Sequence, residues 1–190
     1  MKTDQPNIIV NNVLTKSEID AVYDHIAKTP IDRTSVMESL GHRAYYSWLP
    51  QHVVDKLTAR AQATTDRIIE LRELSFARYS TELNPKLHPH LDTVFKEPRL
   101  TFDLQVGGNV SWPITVEGQS YILKNNEALT FSGTHQIHWR PKVKFESGQY
   151  LDMIFCHFSA VGDEPESLGD DHYLPLQARC DKLEEIYNES

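Results

Sequence analysis

The sequence predicts a mainly β fold with flanking helices, and three observations predict it. From Leu74 to about residue 160 the chain is a succession of short, two-faced runs separated by turn residues, the texture of a sandwich or barrel. Two helix-length amphipathic segments precede that region. A connection rich in acidic residues, Gly and Pro, from Gly162 to Asp171, leads from it to a last helical segment near Pro175 to Tyr187. A chain of 190 residues is long enough for one domain with a substantial core. The expected organisation is one domain, with a helical part at 1–73, a β-core at 74–160 and a tail and helix at 161–190.

Taken in order, Ile8 to Val10 is a short apolar strand. Leu14 to Ile26 carries Thr15 as N-cap with Glu18 three residues later, followed by Ile19, Val22 and Ile26 at helical spacing. A second helix is expected from about Pro50 to Leu71, with Val53, Val54, Leu57, Ala61, Ile68, Ile69 and Leu71 approximating one apolar face. His42 to Trp48 between them reads as a strand. The β-core candidates are Ser75 to Thr81, Arg99 to Val106, Val110 to Val116, Ser120 to Leu123, Ala128 to Phe131, His135 to Arg140 and Gln149 to Phe158. In Arg99 to Val106 the alternation is strict. Leu100, Phe102, Leu104 and Val106 take one side, while Arg99, Thr101, Asp103 and Gln105 take the other, facing water or a polar cavity. Asn125-Asn126 is expected as a hairpin turn, and Gly107-Gly108-Asn109 as another.

Charge and composition exclude several classes of function. Against 27 acidic residues there are 19 Lys and Arg, and the net charge of −8 repels a phosphate backbone, so nucleic acid is not an expected partner. No stretch reaches the ~20 apolar residues of a membrane span, and Met1 to Asn7 lacks the pattern of a signal peptide. A cytoplasmic protein is expected. Cys156 and Cys180 are two thiols with no expected role, a number that suits a reducing compartment.

The chemistry gathers in two places. TELNPKLHPHLDT, from Thr81, sets His90 and Asp92 two residues apart at the end of the first core strand; in extended chain such residues face the same way. FSGTHQIHWRPK, from Phe131, offers His135 and His138. Two imidazoles and one carboxylate on one face of an octahedral ion leave three adjacent positions open. A His-x-Asp pair alone has little weight in a chain with nine histidines. The weight comes from its setting: the pair follows a strand, a second histidine closes a later strand, and the runs between can fold back on the first.

In FARYSTELNPKLHPHLD and EALTFSGTHQIHWRPKVKFESGQYLDMIFCHF the chain resembles the 2-oxoglutarate- and iron(II)-dependent oxygenases, particularly their prolyl-hydroxylase-like branch, over about Phe76 to Phe158. The resemblance implies a double-stranded β-helix (jelly-roll) core with iron at its open end, held by His90, Asp92 and His138. His138 stands in the family's position before the closing strand, and His135 has the opposite strand parity. His88 is separated from His90 by Pro89 and is expected near the site or at the surface. The resemblance further implies Fe(II), 2-oxoglutarate as co-substrate, O2 and a small-molecule substrate, with hydroxylation as the default outcome.

The family's basic anchor for the co-substrate's distal carboxylate lies early in the closing strand, where this chain has Gln149. Arg140, two residues after His138, is the nearest replacement, and its guanidinium fork suits a carboxylate. Tyr79 and Gln105 stand where the family places further polar contacts. Trp48, Trp112 and Trp139 are expected as core or rim packing. Two other readings compete: a zinc-type metalloenzyme built on the same side chains, and an inactive, oxygenase-like binding domain. Substrate and oligomeric state are not fixed by the sequence.

Overall fold

The computed structural model describes residues 6–45, 49–92, 100–161 and 170–189. Its core is eight consecutive strands that pass back and forth between two antiparallel sheets, apart from β7 and β8, which pair with each other in the smaller one. In chain order they are β4 (Ile69–Ser80), β5 (Leu87–His90), β6 (Leu100–Gly108), β7 (Ile114–Val116), β8 (Gln119–Tyr121), β9 (Glu127–Phe131), β10 (His138–Arg140) and β11 (Tyr150–Ala160). The larger sheet runs β1-β9-β6-β11-β4-β3-β2, where β1 is Ile8–Asn11, β2 is Thr34–Met37 and β3 is His42–Tyr45; the smaller runs β5-β10-β7-β8. This alternation is the double-stranded β-helix implied by the sequence resemblance.

Helix α1 (Lys16–Ala27) begins as its sequence dictates. Thr15 accepts from the Glu18 backbone N–H, and the Glu18 carboxylate accepts in return from the Thr15 N–H, the reciprocal capping box. Val22 and Ile26 then pack with α2 (Gln51–Gln62) on the outer face of the large sheet, against Phe76, Phe102, Leu104, Ile154 and Phe158. Helix α3 (Asp170–Glu189) covers the small sheet instead, through Leu176, Cys180 and Leu183 against Leu91 and Ile137. Among the described residues no helix is long and apolar enough to cross a membrane.

Several boundaries differ from the sequence-based expectation. Helix α2 stops at Gln62 rather than running to Leu71, because the Gln62 side chain turns back to bond the carbonyl of Arg67 and the N–H of Ile69. Ile69 to Leu71 thereby enter β4, and Ile68 is left 70 % exposed instead of lying on an apolar helical face. Lys124 to Asn126 is no hairpin, since it joins strands of different sheets. Asn126 sits there at φ 69°, and its side chain holds both the N–H and the carbonyl of Leu14. Gly107 and Gly108 belong to β6, and the Gly107 position lies directly beneath the Tyr23 hydroxyl, where a Cβ would collide. His90 lies on a short separate strand, β5, not at the end of the first core strand. Arg99, Trp48 and most of the 162–171 connection lie outside the described residues. Both cysteines are buried free thiols.

Candidate metal centre

The strict alternation of β6 decides where the interior is polar. Leu100, Phe102, Leu104 and Val106 face the helices, whereas Thr101, Asp103 and Gln105 turn between the two sheets, and all seven are buried. On the opposing sheet β10 pairs with β5 so that His138 stands beside His90. Asp92 follows two residues later, its backbone N–H held by the carbonyl of Gly133 at 2.9 Å.

One donor atom from each of His90, Asp92 and His138 lies within 4.8 Å of the others. Asp92 Oδ1 is 3.8 Å from His90 Nε2 and 3.6 Å from His138 Nε2. Those separations are too long for direct hydrogen bonds and leave room for an ion between the three donors, which would have to draw in to bind it. The ring tautomers follow from their other contacts. His90 Nδ1 meets the His88 carbonyl at 2.8 Å and His138 Nδ1 meets the Gln136 carbonyl at 3.0 Å. A carbonyl can only accept, so both Nδ1 atoms carry the hydrogen and both Nε2 lone pairs point at the common centre.

The charge states suit a cation. Burial, reinforced by His90, pushes the His138 pKa down to about 4, so the ring is neutral at neutral pH. Burial alone would raise the Asp92 carboxyl, but His138, His157, His90 and the Thr101 hydroxyl outweigh it and hold the group below its ordinary range. A neutral imidazole at His138 and an ionised carboxylate at Asp92 are ligand forms that a divalent metal requires.

The second oxygen of Asp92 is held by residues that sequence reasoning passed over. Thr101 donates to Oδ2 at 3.0 Å, and His157 Nε2 stands 3.6 Å from it while His157 Nδ1 faces Glu73 at 3.3 Å. A Cβ on Gly133 would lie 1.8 Å from the same oxygen, so this glycine makes the room the carboxylate occupies. The only signal for Gly133 was a small residue in the turn before the distal histidine. His157 sat unremarked inside an apolar run.

The remaining expected positions are distributed unevenly. Arg140 is buried and faces inward; it donates to the Trp112 carbonyl and, at 3.7 Å, to Met153 Sδ, and its guanidinium lies 5.1 Å from the Trp112 ring centroid. Among the described residues no carboxylate lies within ion-pair distance of it. Tyr79 is fully buried next to Trp112 and His42. Gln105 faces the interior, but its amide is engaged by Asn125 Oδ1 at 3.0 Å. The inward residues of the closing strand near its start are Leu151 and Met153, both apolar. His135 is turned to Ser132 and Thr134, and His88 packs on Tyr187 of α3; neither joins the cluster.

No family model and no curated protein matches the sequence. Solved structures do match the fold. HygX from Streptomyces hygroscopicus, determined with nickel, 2-oxoglutarate and hygromycin B bound, aligns with a TM-score of 0.62 at 11 % identity over 84 % of each chain. The non-heme α-ketoglutarate-dependent epimerase SnoN from nogalamycin biosynthesis aligns at 0.61 and 12 %, covering 84 % of this chain and 87 % of its own. A Trichoplax adhaerens prolyl hydroxylase in complex with a hypoxia-inducible-factor peptide aligns at 0.56 and 14 %, over 82 % and 84 %. The chain therefore has the fold of the 2-oxoglutarate- and iron(II)-dependent oxygenases, with two histidines and one aspartate converging inside its barrel.

Proposed function

We propose that this protein is an iron(II)- and 2-oxoglutarate-dependent oxygenase that hydroxylates a small molecule in the cytosol. The observation that carries the reading is the convergence of His90 Nε2, His138 Nε2 and Asp92 Oδ1 on one centre, each oriented by a separate contact. Iron bound there would supply the oxidative chemistry, coupled to conversion of 2-oxoglutarate to succinate and carbon dioxide. The chain's own residues supply the rest. His90 and His138 offer Nε2 lone pairs, Asp92 offers charge, and Thr101 and His157 keep Asp92 Oδ2 turned away from the centre.

Arg140 is the proposed anchor of the co-substrate's distal carboxylate. A buried guanidinium with a backbone carbonyl and a thioether as neighbours has donors to spare for a bidentate carboxylate. Its place on β10, two residues after His138 and buried like it, supports this role. Tyr79 lines the same interior and Gln105 lies on the adjoining polar face, and both are proposed as lesser contacts. Leu151 and Met153 on the closing strand favour Arg140 over any residue there, and they are also the observation that supports the competing reading of an inactive binding domain.

Succinate release by iron-loaded protein in the presence of 2-oxoglutarate and oxygen, measured for the parent and for Arg140→Met, tests this function. The expected result is turnover in the parent and a KM for 2-oxoglutarate raised at least tenfold in the variant. Stoichiometric iron binding with no succinate would sink the oxygenase reading and leave the binding domain.

A further inference from the structure

Among the inward residues of β6, Asp103 stands apart from its neighbours. Thr101, one pleat before it, is bonded to Asp92, and Gln105, one pleat after it, is bonded to Asn125. Asp103 is 4 % exposed, and among the described residues its Oδ1 has no hydrogen-bond partner. Its partners across the ladder are Phe155 of β11 and Leu129 of β9, neither of whose side chains can donate. A buried acceptor without a donor is a standing cost to a fold, and here it is aimed between the sheets.

The ladder between β6 and β11 locates Asp103 between the metal end and the arginine end of the interior: Thr101, bonded to Asp92, pairs with His157, Asp103 pairs with Phe155, and Gln105 pairs with Met153, whose sulfur Arg140 touches. It feels the charges of His157 of β11, Asp92 and Arg140 of β10, while Tyr79 of β4 and Cys156 of β11 feel its charge in turn. A ligand that reaches from the Asp92 cluster to Arg140 must therefore pass this carboxyl. If that ligand is a dicarboxylate, an ionised Asp103 would repel it, whereas a protonated Asp103 would offer it an O–H donor.

We propose that Asp103 works as a neutral carboxylic acid that donates a hydrogen bond to 2-oxoglutarate beside Arg140, so that the co-substrate binds together with one proton. The inference rests on the co-substrate reading above. Burial already pushes the Asp103 carboxyl up to about 7; Asp92 pushes the same way, and His157 and Arg140 oppose it. The arriving dianion raises it further, so the proton is taken from solvent on binding. The sign follows from linkage. The binding form is the protonated one, so affinity is level below the carboxyl's pKa and falls by about tenfold per pH unit above it.

The test is a calorimetric titration of the iron-saturated protein with 2-oxoglutarate, without oxygen, from pH 6.5 to 9 in two buffers of different ionisation enthalpy. The parent and Asp103→Asn are compared. Expected for the parent are the tenfold weakening per unit at high pH and uptake of close to one proton. Asparagine keeps a donor and has no charge, so the variant should bind with level affinity across the range, tighter than the parent at pH 9, without that proton. The histidines of the metal cluster are common to both proteins, so the difference between them belongs to Asp103. Infrared difference spectra supply a second readout: adding 2-oxoglutarate at pH 8 should produce a protonated-carboxyl band in the parent that Asp103→Asn lacks. A parent whose affinity is level with pH, or a variant that keeps the parent's slope, overturns the role of Asp103 alone. A parent that binds iron but no 2-oxoglutarate at any pH overturns the co-substrate reading as well.

Discussion

Replacing Gly133 by alanine tests whether the placement of Asp92 is as tightly determined as the structure implies. A Cβ at this position would lie 1.8 Å from Asp92 Oδ2, 2.4 Å from Thr101 Oγ1 and 2.8 Å from Asp92 Cγ. To restore even a 3.4 Å contact, Oδ2 must retreat by about 1.6 Å, the difference between 3.4 and 1.8. Metal sites tolerate about 0.2 Å in their bond lengths. A displacement several times larger takes Oδ1 out of reach of an ion held by His90 and His138. The expected loss of iron(II) affinity is at least about 100-fold, the upper end of what disturbing a ligand's support causes. The fold should survive, because overpacking one methyl costs about 1–3 kcal/mol. Competition against a metal chelator measures the first quantity, and a urea melt measures the second. A Gly133→Ala protein that binds iron within threefold of the parent would refute this view of the Asp92 pocket.

Other consequences can be checked on the same protein. His157→Ala removes the ring that stands between Glu73 and Asp92 Oδ2 and should weaken iron binding about 10- to 100-fold; unchanged affinity would show that Thr101 orients Asp92 by itself. Asp152→Ala breaks a two-point pair with Arg78, at 2.7 Å for each contact, and also the bond from Tyr23. Since Asp152 is fully buried but Arg78 is 40 % exposed, the loss should be about 3 kcal/mol by urea melt, the low end for breaking a buried pair; a loss below about 1 kcal/mol would contradict it. Asp103 also predicts a pH effect on stability. Its folded pKa of about 7 lies above the ordinary aspartate value of 3.8, so the folded state holds the proton more tightly, and stability falls as pH rises between those values. Comparing melts at pH 5 and pH 8, Asp103→Asn should gain on the parent by a few kcal/mol at the higher pH, since each pH unit crossed below the folded pKa costs the parent on the order of 1.4 kcal/mol; no relative gain would contradict it.

The parts of the fold that were legible in the sequence are those set by local chemistry. Thr15 and Glu18 announce the start of α1 because the capping box is satisfied within four residues, and the two-residue period of Leu100 to Val106 identifies both faces of β6. The end of α2 was hidden, because Gln62 ends the helix with side-chain bonds to residues five and seven positions on, which no periodicity records. The identity of the cluster was legible for a similar reason. His-x-Asp and His138 before the closing strand are separated by a run of strands able to fold back on one another. The supporting residues were not. Gly133, Thr101 and His157 matter through what they touch across strands, and Asp103 through the depth of its burial, and neither property is written in a single sequence. The polar side of β6 was legible as polar, but only the second sheet turns it from a wet face into a buried one.

Everything proposed for this protein depends on the three-residue cluster holding iron and presenting it to 2-oxoglutarate. The most direct measurement is an anaerobic titration of metal-free protein with iron(II) and then 2-oxoglutarate, following the visible charge-transfer absorption of the chelated keto acid, with His138→Ala alongside. The parent should show a saturable band and the variant none. Iron binding by the parent with no such band at any 2-oxoglutarate concentration would contradict the proposed role of the cluster.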